Sequence, residues 1–362
     1  MRAHAPDYVI VVCTFLLVVI GLAMLTSASS DRGQLRFQDS YFYLKHQILY
    51  GLSLGIILFI GASKFYYRNL QPFATLLLIL SFVLLIMVFT PMGITSGGAT
   101  RWLNLGPLSF QPSEFLKVAF VIYLASWLSS KLTRGRELWT GYVPFLMILG
   151  ITSGLLIFQP STSVAGILTA TALAMYFASG ARASYVFGTI AVGAVSLALL
   201  LYITPYRMQR FTTFLHPEQN AQGANYQINQ ALTAIGSGGL WGVGYGQSTT
   251  KLRSLPQPID DSIFAVIAEE MGFIGSTFII LLFAILALRS FILAKRAPDK
   301  FGQLLLVGFG SVIAIQAFFH IASISALIPL TGVPLPFISY GGTALAIFMG
   351  ISGIMVNISK YT

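Results

Sequence analysis

Charge is what this 362-residue chain has least of: Asp, Glu, Lys and Arg together make up 9% of it, while 56% is apolar and 13% aromatic. Globular water-soluble domains carry about a quarter of their residues charged, so this composition excludes one and points to lipid as the solvent. Cysteine is nearly absent. The single Cys13 excludes an intramolecular disulfide and a thiolate metal cluster. Four scattered histidines, His4, His46, His216 and His320, lack the close spacing of a zinc cage. The first apolar run is too long, and too poorly followed by a small-residue cleavage site, to be a removable signal peptide. Only eleven acids occur, and four of them, Asp260, Asp261, Glu269 and Glu270, fall within "SLPQPIDDSIFAVIAEEMG".

Charge-free runs of helix-spanning length recur along the whole chain, and a bilayer core of about 30 Å needs roughly 20 such residues per helix. The pattern predicts an all-α polytopic membrane protein with about ten transmembrane helices. Their expected cores are Tyr8 to Ala28, Gln47 to Ser63, Pro72 to Phe89, Ser113 to Leu128, Tyr142 to Phe158, Ser163 to Ser179, Tyr185 to Ile203, Ile263 to Leu288, Gln303 to Ser323 and Phe337 to Ser359. With the N-terminus inside, the cytoplasmic segments hold twelve basic residues: Arg2, Lys64, Arg68, Lys131, Arg134, Arg136, Arg182, Arg289, Lys295, Arg296, Lys300 and Lys360. The outer segments hold eight, and Arg207, Arg210, Lys251 and Arg253 of these lie in one long loop that the positive-inside rule discounts. Both termini are therefore expected in the cytoplasm. The net charge of +10 then suits anionic lipid headgroups and implies no nucleic acid.

On this topology the chain is one membrane domain, 1–362, with a large extracytoplasmic loop, 204–262, between the seventh and eighth helices. A loop that long is usually functional or disordered. Its aromatic and aliphatic content argues against disorder, and Tyr226 to Ile235 has the apolar spacing of a short surface helix. Gly236, Gly238, Gly239, Gly242, Gly244 and Gly246 follow. Such a density permits close backbone approach to a ligand or an anion-binding nest, but a turn-rich connector explains it as well.

Asp260 and Asp261 stand at the outer mouth of the eighth span, where "LPQP" presents a helix start. An acid there is favoured by the helix dipole by about 0.3–1 kcal/mol, so Asp260 can serve as an N-cap. Two adjacent carboxylates exceed what capping needs, and their repulsion and partial burial would raise one pKa toward that of a working base. Glu269 and Glu270 lie roughly 12 Å deeper along the helix. They are 100° apart, so at least one requires a cationic, hydrogen-bonding or water-lined partner inside the bundle. In "QPSEFLKVAF" Glu114 and Lys117 stand at i and i+3, either a mutually neutralising pair or the lining of a polar cavity. Arg101 and Trp102 sit on an outer loop, as an interfacial anchor or, beside Asp261, as a cation for a lipid phosphate.

Four blocks in order, "GATRWLNLGPLSFQPSEFLK" (98–117), "YRMQRFTTFLHPEQNAQGANYQINQALTAIGSGGLWGVGYGQS" (206–248), "LPQPIDDSIFAVIAEEMG" (255–272) and "IPLTGVPLPFISYGGTAL" (328–345), carry a resemblance to the SEDS family of bacterial envelope proteins, the FtsW/RodA/SpoVE group. The resemblance runs from the first span to the last. It implies a peptidoglycan glycosyltransferase that polymerises lipid II on the outer face of the bacterial cytoplasmic membrane, in complex with a class B penicillin-binding transpeptidase. The family pattern LPEPHTDFIFA is similar to "LPQPIDDSIFA" and puts the essential aspartate on Asp261. The implied chemistry joins a sugar 4-hydroxyl to an anomeric carbon as a polyprenyl pyrophosphate leaves. Asp261 would be the base, and Arg101, Lys117 and Arg210, with or without a divalent cation (Mg or Mn), would meet the pyrophosphates. Substrate-binding roles are implied as well for Trp102, Glu114, Tyr226, Gln227, Ser339 and Gly341. A single base without a covalent intermediate implies inversion at the anomeric carbon.

The chain departs from the family where "QPDLGT" reads "QPSTSV", with Ser161 and Ser163 in place of the acid and the glycine. It departs again where the histidine and threonine before the aspartate are Ile259 and Asp260, and where His320 stands at a frequent asparagine. Two other classes compete. A lipid II flippase would use the buried charges as a headgroup path, though no inverted repeat is visible. A scaffold of the division or elongation machinery would need neither Asp261 nor those charges. "GVGYGQS" resembles the division and sporulation branch and "TGVPLPFISYGG" the elongation branch, with the balance toward division.

Overall fold

A run of some twenty uncharged residues in lipid can satisfy its backbone only as a helix, and helices make up most of this computed structural model. It describes residues 4–96, 99–106, 108–130, 137–215, 224–253 and 255–362. In order, the helices are α1 (Tyr8–Phe37), α2 (Phe42–His46) joined by a π-type turn (Gln47–Leu52) to α3 (Ser53–Lys64), α4 (Ala74–Met87), α5 (Pro112–Ser129), α6 (Val143–Phe158) and α7 (Thr162–Ala178). They continue as α8 (Ala183–Ile203), α9 (Pro205–Leu215), α10 (Ala224–Ser237), α11 (Thr250–Arg253), α12 (Ile263–Arg296), α13 (Lys300–Ile324) and α14 (Gly342–Ser359). Among the described residues, seven helical stretches are long and apolar enough to cross a bilayer: Tyr8–Phe37, Phe42–Lys64, Leu138–Phe158, Ala183–Ile203, Ile263–Arg296, Lys300–Ile324 and Gly342–Ser359. α4 and α7 are shorter apolar helices, and α5 carries the Glu114–Lys117 pair. The chain is thus a multi-pass membrane protein.

α13 is the hub, packed against α5, α7, α12 and α14, whereas α8 exposes nearly its whole apolar length, as a lipid-facing helix must. Two ends are distinguishable by their contacts. At one, Asp7 pairs with Arg289 at 2.6 Å, Arg68 with Asp299 at 2.8 Å, and Lys360 and Lys300 donate to the Ser63 and Ala178 carbonyls. These come from segments expected in the cytoplasm. Arg2, Lys131, Arg134 and Arg136 of that expectation, and His216, lie outside the described residues.

The all-α expectation needs one amendment. β1 (Gly93–Ser96), β2 (Ala99–Leu105) and β3 (Leu108–Phe110) form an antiparallel sheet in that order, with Ile94 opposite Trp102 and Leu103 opposite Phe110. Leu103 is buried and Asn104 exposed, the alternation of a one-sided strand. Arg101 and Trp102 therefore sit on β2, a stiffer support than a loop. The expected short surface helix is present as α10, but Ala231 and Ala234 are fully buried and α10 packs on α12.

α12 is broken. Gly272 has φ 65° and ψ −165° inside the helix, just after Glu269 and Glu270. A break in a membrane helix frees backbone groups that must find partners, and the glycine-rich stretch supplies them. Val243 and Gly244 N–H groups donate to the Glu269 and Glu270 carbonyls, and Phe273 and Ile274 N–H groups donate to the Gly239 and Leu240 carbonyls. The two backbones touch so closely that a Cβ on Gly242 would stand 2.1 Å from the Glu270 carbonyl oxygen. Gly242 also has φ +83°. Gly238 and Gly242 thus dock this loop on the helix break. Gly242→Ala is expected to cost more than the roughly 1–3 kcal/mol of a strained backbone conformation, because backbone must also move. A large drop in the melting temperature of the detergent-purified protein checks this; an unchanged melt would contradict the docking.

Candidate active site

Asp260 and Asp261 end the loop that follows α11, immediately before α12. Capping does not explain them. Ser262 is the N-cap of α12 with no side-chain cap bond, and its hydroxyl instead donates to the Pro256 carbonyl and accepts from Gln227 Nε2 at 3.0 Å. Gln227 comes from α10, with Tyr226 beside it half exposed at 38%. The segment between α13 and α14 closes over the pair from the other side. Ser339 Oγ donates to the Asp260 carbonyl at 2.8 Å, and Tyr340 N–H to the Ile259 carbonyl at 3.0 Å. A Cβ on Gly332 would lie 3.4 Å from Asp261 Oδ2, so that backbone runs alongside the carboxylate. Gly341 N–H donates to Gln47 Oε1, which fixes the far end of the same segment.

The two carboxylates face different charges. Burial pushes the Asp260 carboxyl up to about 7, with the neighbouring Asp261 adding to the rise and Arg32 opposing it. Burial also raises Asp261, while Arg101 and Arg210 draw it down. A carboxylate beside two guanidiniums stays available as a base while sitting where an anionic group would bind. Both arginines are held by carbonyls. Arg101 donates to the Pro160 carbonyl at 2.6 Å and weakly to that of Gln159, and Arg210, on α9, donates to the Leu330 carbonyl at 3.3 Å. The 159–161 segment therefore contributes backbone carbonyls to Arg101, and Ser161 in place of the family acid turns its hydroxyl onto the Gln159 carbonyl.

Glu114 and Lys117 do not line an open cavity here. Both are 1% exposed, paired at 2.8 Å, and Lys117 Nζ also donates to Gln316 Oε1 at 2.6 Å. Gln316 Nε2 passes the contact to the Pro334 carbonyl, and His320 Nδ1 meets the Val333 carbonyl at 2.7 Å. These bonds hold residues 333 and 334, next to the Gly332 that borders Asp261. Lys117 thus also supports the segment beside Asp261 through Gln316. Among the described residues Glu114 Oε2 and His320 Nε2 have no hydrogen-bond partner.

Glu269 and Glu270 both find partners. Glu269 accepts from the Ser248 hydroxyl and from Thr249 N, Thr250 N and Thr250 Oγ1. Glu270 pairs with Lys251 at 2.6 Å and accepts from Ser27. No group of three or more His, Cys, Asp or Glu that could hold a metal occurs among the described residues. The carboxylates at the mouth are Asp260 and Asp261, and the cations that act on them are Arg32, Arg101 and Arg210. Gln316, Lys251, Arg32 and Gly332 escaped the sequence reading. Arg32 lies beyond the apolar core of α1, and Gln316 and Lys251 act through residues more than a hundred positions away.

Residues 7–362 match the family model FtsW/RodA/SpoVE, described as cell cycle protein. The chain is 38% identical over 362 residues to the stage V sporulation protein E of Bacillus subtilis (strain 168), covering 100% of this chain and 99% of that one. It is 36% identical over 359 residues to a probable peptidoglycan glycosyltransferase FtsW of Geobacter sp. (strain M18), covering 99% and 98%. Among solved structures, a chain of a peptidoglycan synthase complex that coordinates polymerization and crosslinking superposes with TM-score 0.81 at 25% identity over 99% of both chains. The rod shape determining protein RodA of Thermus thermophilus superposes with TM-score 0.72 at 27% identity, over 97% of this chain and 96% of that one.

Proposed function

The chain belongs to the FtsW/RodA/SpoVE family, and from that membership we propose that it is an inverting peptidoglycan glycosyltransferase that polymerises lipid II at the outer face of the bacterial cytoplasmic membrane. The observation that carries the reading is Asp261, a half-buried carboxylate at the mouth of α12 whose charge Arg101 and Arg210 offset. Asp261 accepts the proton of the acceptor sugar's 4-hydroxyl as that oxygen bonds to the anomeric carbon of the donor. The bond from that carbon to the pyrophosphate oxygen breaks, and Arg101 and Arg210 stabilise the charge that leaves. Attack from the face opposite the leaving group inverts the anomeric centre. Trp102, Tyr226, Gln227, Ser339 and Gly341 frame the mouth that takes the headgroup, and no step runs through a metal.

In this reading the chain is one domain, 1–362, crossing the membrane ten times, with both termini cytoplasmic and 204–262 outside. α4, α5 and α7 supply the three crossings beyond the seven long stretches. A class B penicillin-binding transpeptidase is the proposed partner, and division or sporulation the proposed pathway, supported by the similarity to the sporulation protein and to FtsW chains. A flippase reading draws less support, because Glu114, Lys117, Glu269 and Glu270 bond to the fold itself.

Purified chain in detergent, where no bilayer divides two leaflets, is expected to convert lipid II to glycan strands, faster with a class B partner. Intact lipid II under both conditions would overturn the reading. The pH dependence is a second check. Strand formation needs Asp261 ionised, so the rate falls as pH drops through its raised pKa. Asp260→Asn removes a neighbouring negative charge and lowers the proton affinity of Asp261, which should move the acid limb to lower pH while most activity remains. An acid limb that stays in place would show that the two carboxyls do not interact.

A further inference from the structure

One cation of the loop before α12 is buried inside the protein with no task in the mechanism above. Lys251, on α11, places Nζ 2.6 Å from Glu270 Oε1, 2.7 Å from Ser27 Oγ of α1 and 3.1 Å from the Gly246 carbonyl oxygen. The side chains of Lys251 and Glu270 are 3% and 0% exposed. Taking two charges out of water costs several kcal/mol per ion before their attraction offsets it, so such a pair is weak as a stabiliser compared with an apolar substitute. What it supplies is a fixed geometry.

That geometry bears on Asp261. Around Lys251 the whole approach to the aspartate loop is pinned to the break in α12. The 239–244 backbone pairs with residues 269–274, Glu269 gathers Ser248, Thr249 and Thr250, and Tyr245 OH donates to the Ala23 carbonyl at 2.8 Å. Leu255 N–H then donates back to the Thr250 carbonyl, and Ser262 N–H to that of Gln257. The loop carrying Asp260 and Asp261 is therefore a short arch. Its far foot is the first turn of α12, and its near foot is α11, anchored two turns deeper on the same helix by Lys251.

We propose that Lys251 is a positioning residue for Asp261: its ion pair with Glu270 and its bond to Ser27 lock α11 into the helix break and so hold the aspartate arch against Arg101, Arg210 and Gly332. Its effect on turnover rests on the polymerase reading, but its effect on the arch does not. With the near foot released, Asp261 loses its register with the acceptor hydroxyl. A displacement of about 1 Å at a reacting group costs about 10²-fold in rate.

The test compares wild type, Lys251→Met, the neutralised pair Lys251→Met/Glu270→Gln, and Lys45→Met as a control, since Lys45 forms an exposed pair with Asp39 remote from this latch. Each is purified at full length in detergent and assayed for melting temperature, for kcat and KM with lipid II, and for amide exchange of residues 255–262 by mass spectrometry. Lys251→Met leaves Glu270 buried and unpaired, so it should melt lower, and the double variant should regain most of that stability. The expected result is that kcat stays down about 10²-fold in both with KM little changed, and that exchange speeds up in 255–262 ahead of the rest of the chain. Lys45→Met should match wild type. Recovery of kcat along with stability in the double variant would overturn the proposal, because the pair would then only stabilise the fold. Exchange that is unchanged in 255–262, or that rises evenly over the chain, would overturn it too. If wild type makes no strands, the polymerase reading fails, and the exchange pattern alone decides the role of Lys251.

Discussion

Lys117→Met should unfold much of the protein at temperatures where the wild type is intact. Its partner Glu114 is 1% exposed and accepts from Lys117 through Oε1, while Glu114 Oε2 has no hydrogen-bond partner among the described residues. Removing the cation strands a carboxylate in the bundle, a change that costs about 3–5 kcal/mol. That is a large share of the roughly 5–15 kcal/mol by which folded domains are stable. Gln316 Oε1 loses its donor in the same step, which loosens the hold on Pro334 and hence on the segment beside Asp261. Lys117→Met/Glu114→Gln removes both charges and should melt near the wild type while polymerising poorly, since the Gln316 tether is still cut. Exchanging the two residues should restore part of the stability. Melting curves in detergent, read with strand formation, check all three variants. A single variant as stable and as active as wild type would mean that the pair supports neither fold nor site.

The sequence was most legible where one residue type at one place implies one physics. Apolar runs between charges marked most of the helices, and the double aspartate before α12 marked the candidate base because two acids at a membrane mouth ask for a reason. The ends of elements were less visible. α1 runs past the expected Ala28 to Phe37 because "SSDRGQLRF" is polar yet helical, which carries Arg32 toward Asp260. The last span was expected from Phe337, but α14 starts at Gly342: Phe337 has φ 64°, and Ser339 and Tyr340 bond to the Asp260 and Ile259 carbonyls, so 337–341 closes over the site as irregular backbone. The sheet holding Arg101 was hidden in a short polar connection whose strands are three to seven residues long. What periodicity cannot encode is who meets whom. Glu269 and Glu270 announced a need for partners, but Ser27, more than two hundred residues away, could be identified only by the folded chain. The glycines likewise signalled close approach without saying to what, and the answer was the break at Gly272.

Asp261→Asn should eliminate detectable glycan strands. Asparagine keeps the size of the side chain and most of its hydrogen bonding while removing the basic oxygen, so the substitution tests proton removal more than packing. A positioned general base contributes about 10²–10⁴-fold, so its removal should cost at least that much. Lipid II should still bind, because Arg101 and Arg210, the proposed pyrophosphate contacts, keep their carbonyl anchors at Pro160 and Leu330. Asp260→Asn is the matched control: it removes the carboxyl that faces Arg32 and leaves the one that faces Arg101 and Arg210. The decisive measurement is strand formation from purified lipid II by folded wild type, Asp260→Asn and Asp261→Asn, with lipid II binding measured on the same samples. The account predicts strands from the first two, none from Asp261→Asn, and binding by all three. Strands from Asp261→Asn at the wild-type rate, or equal loss in both aspartate variants, would contradict it.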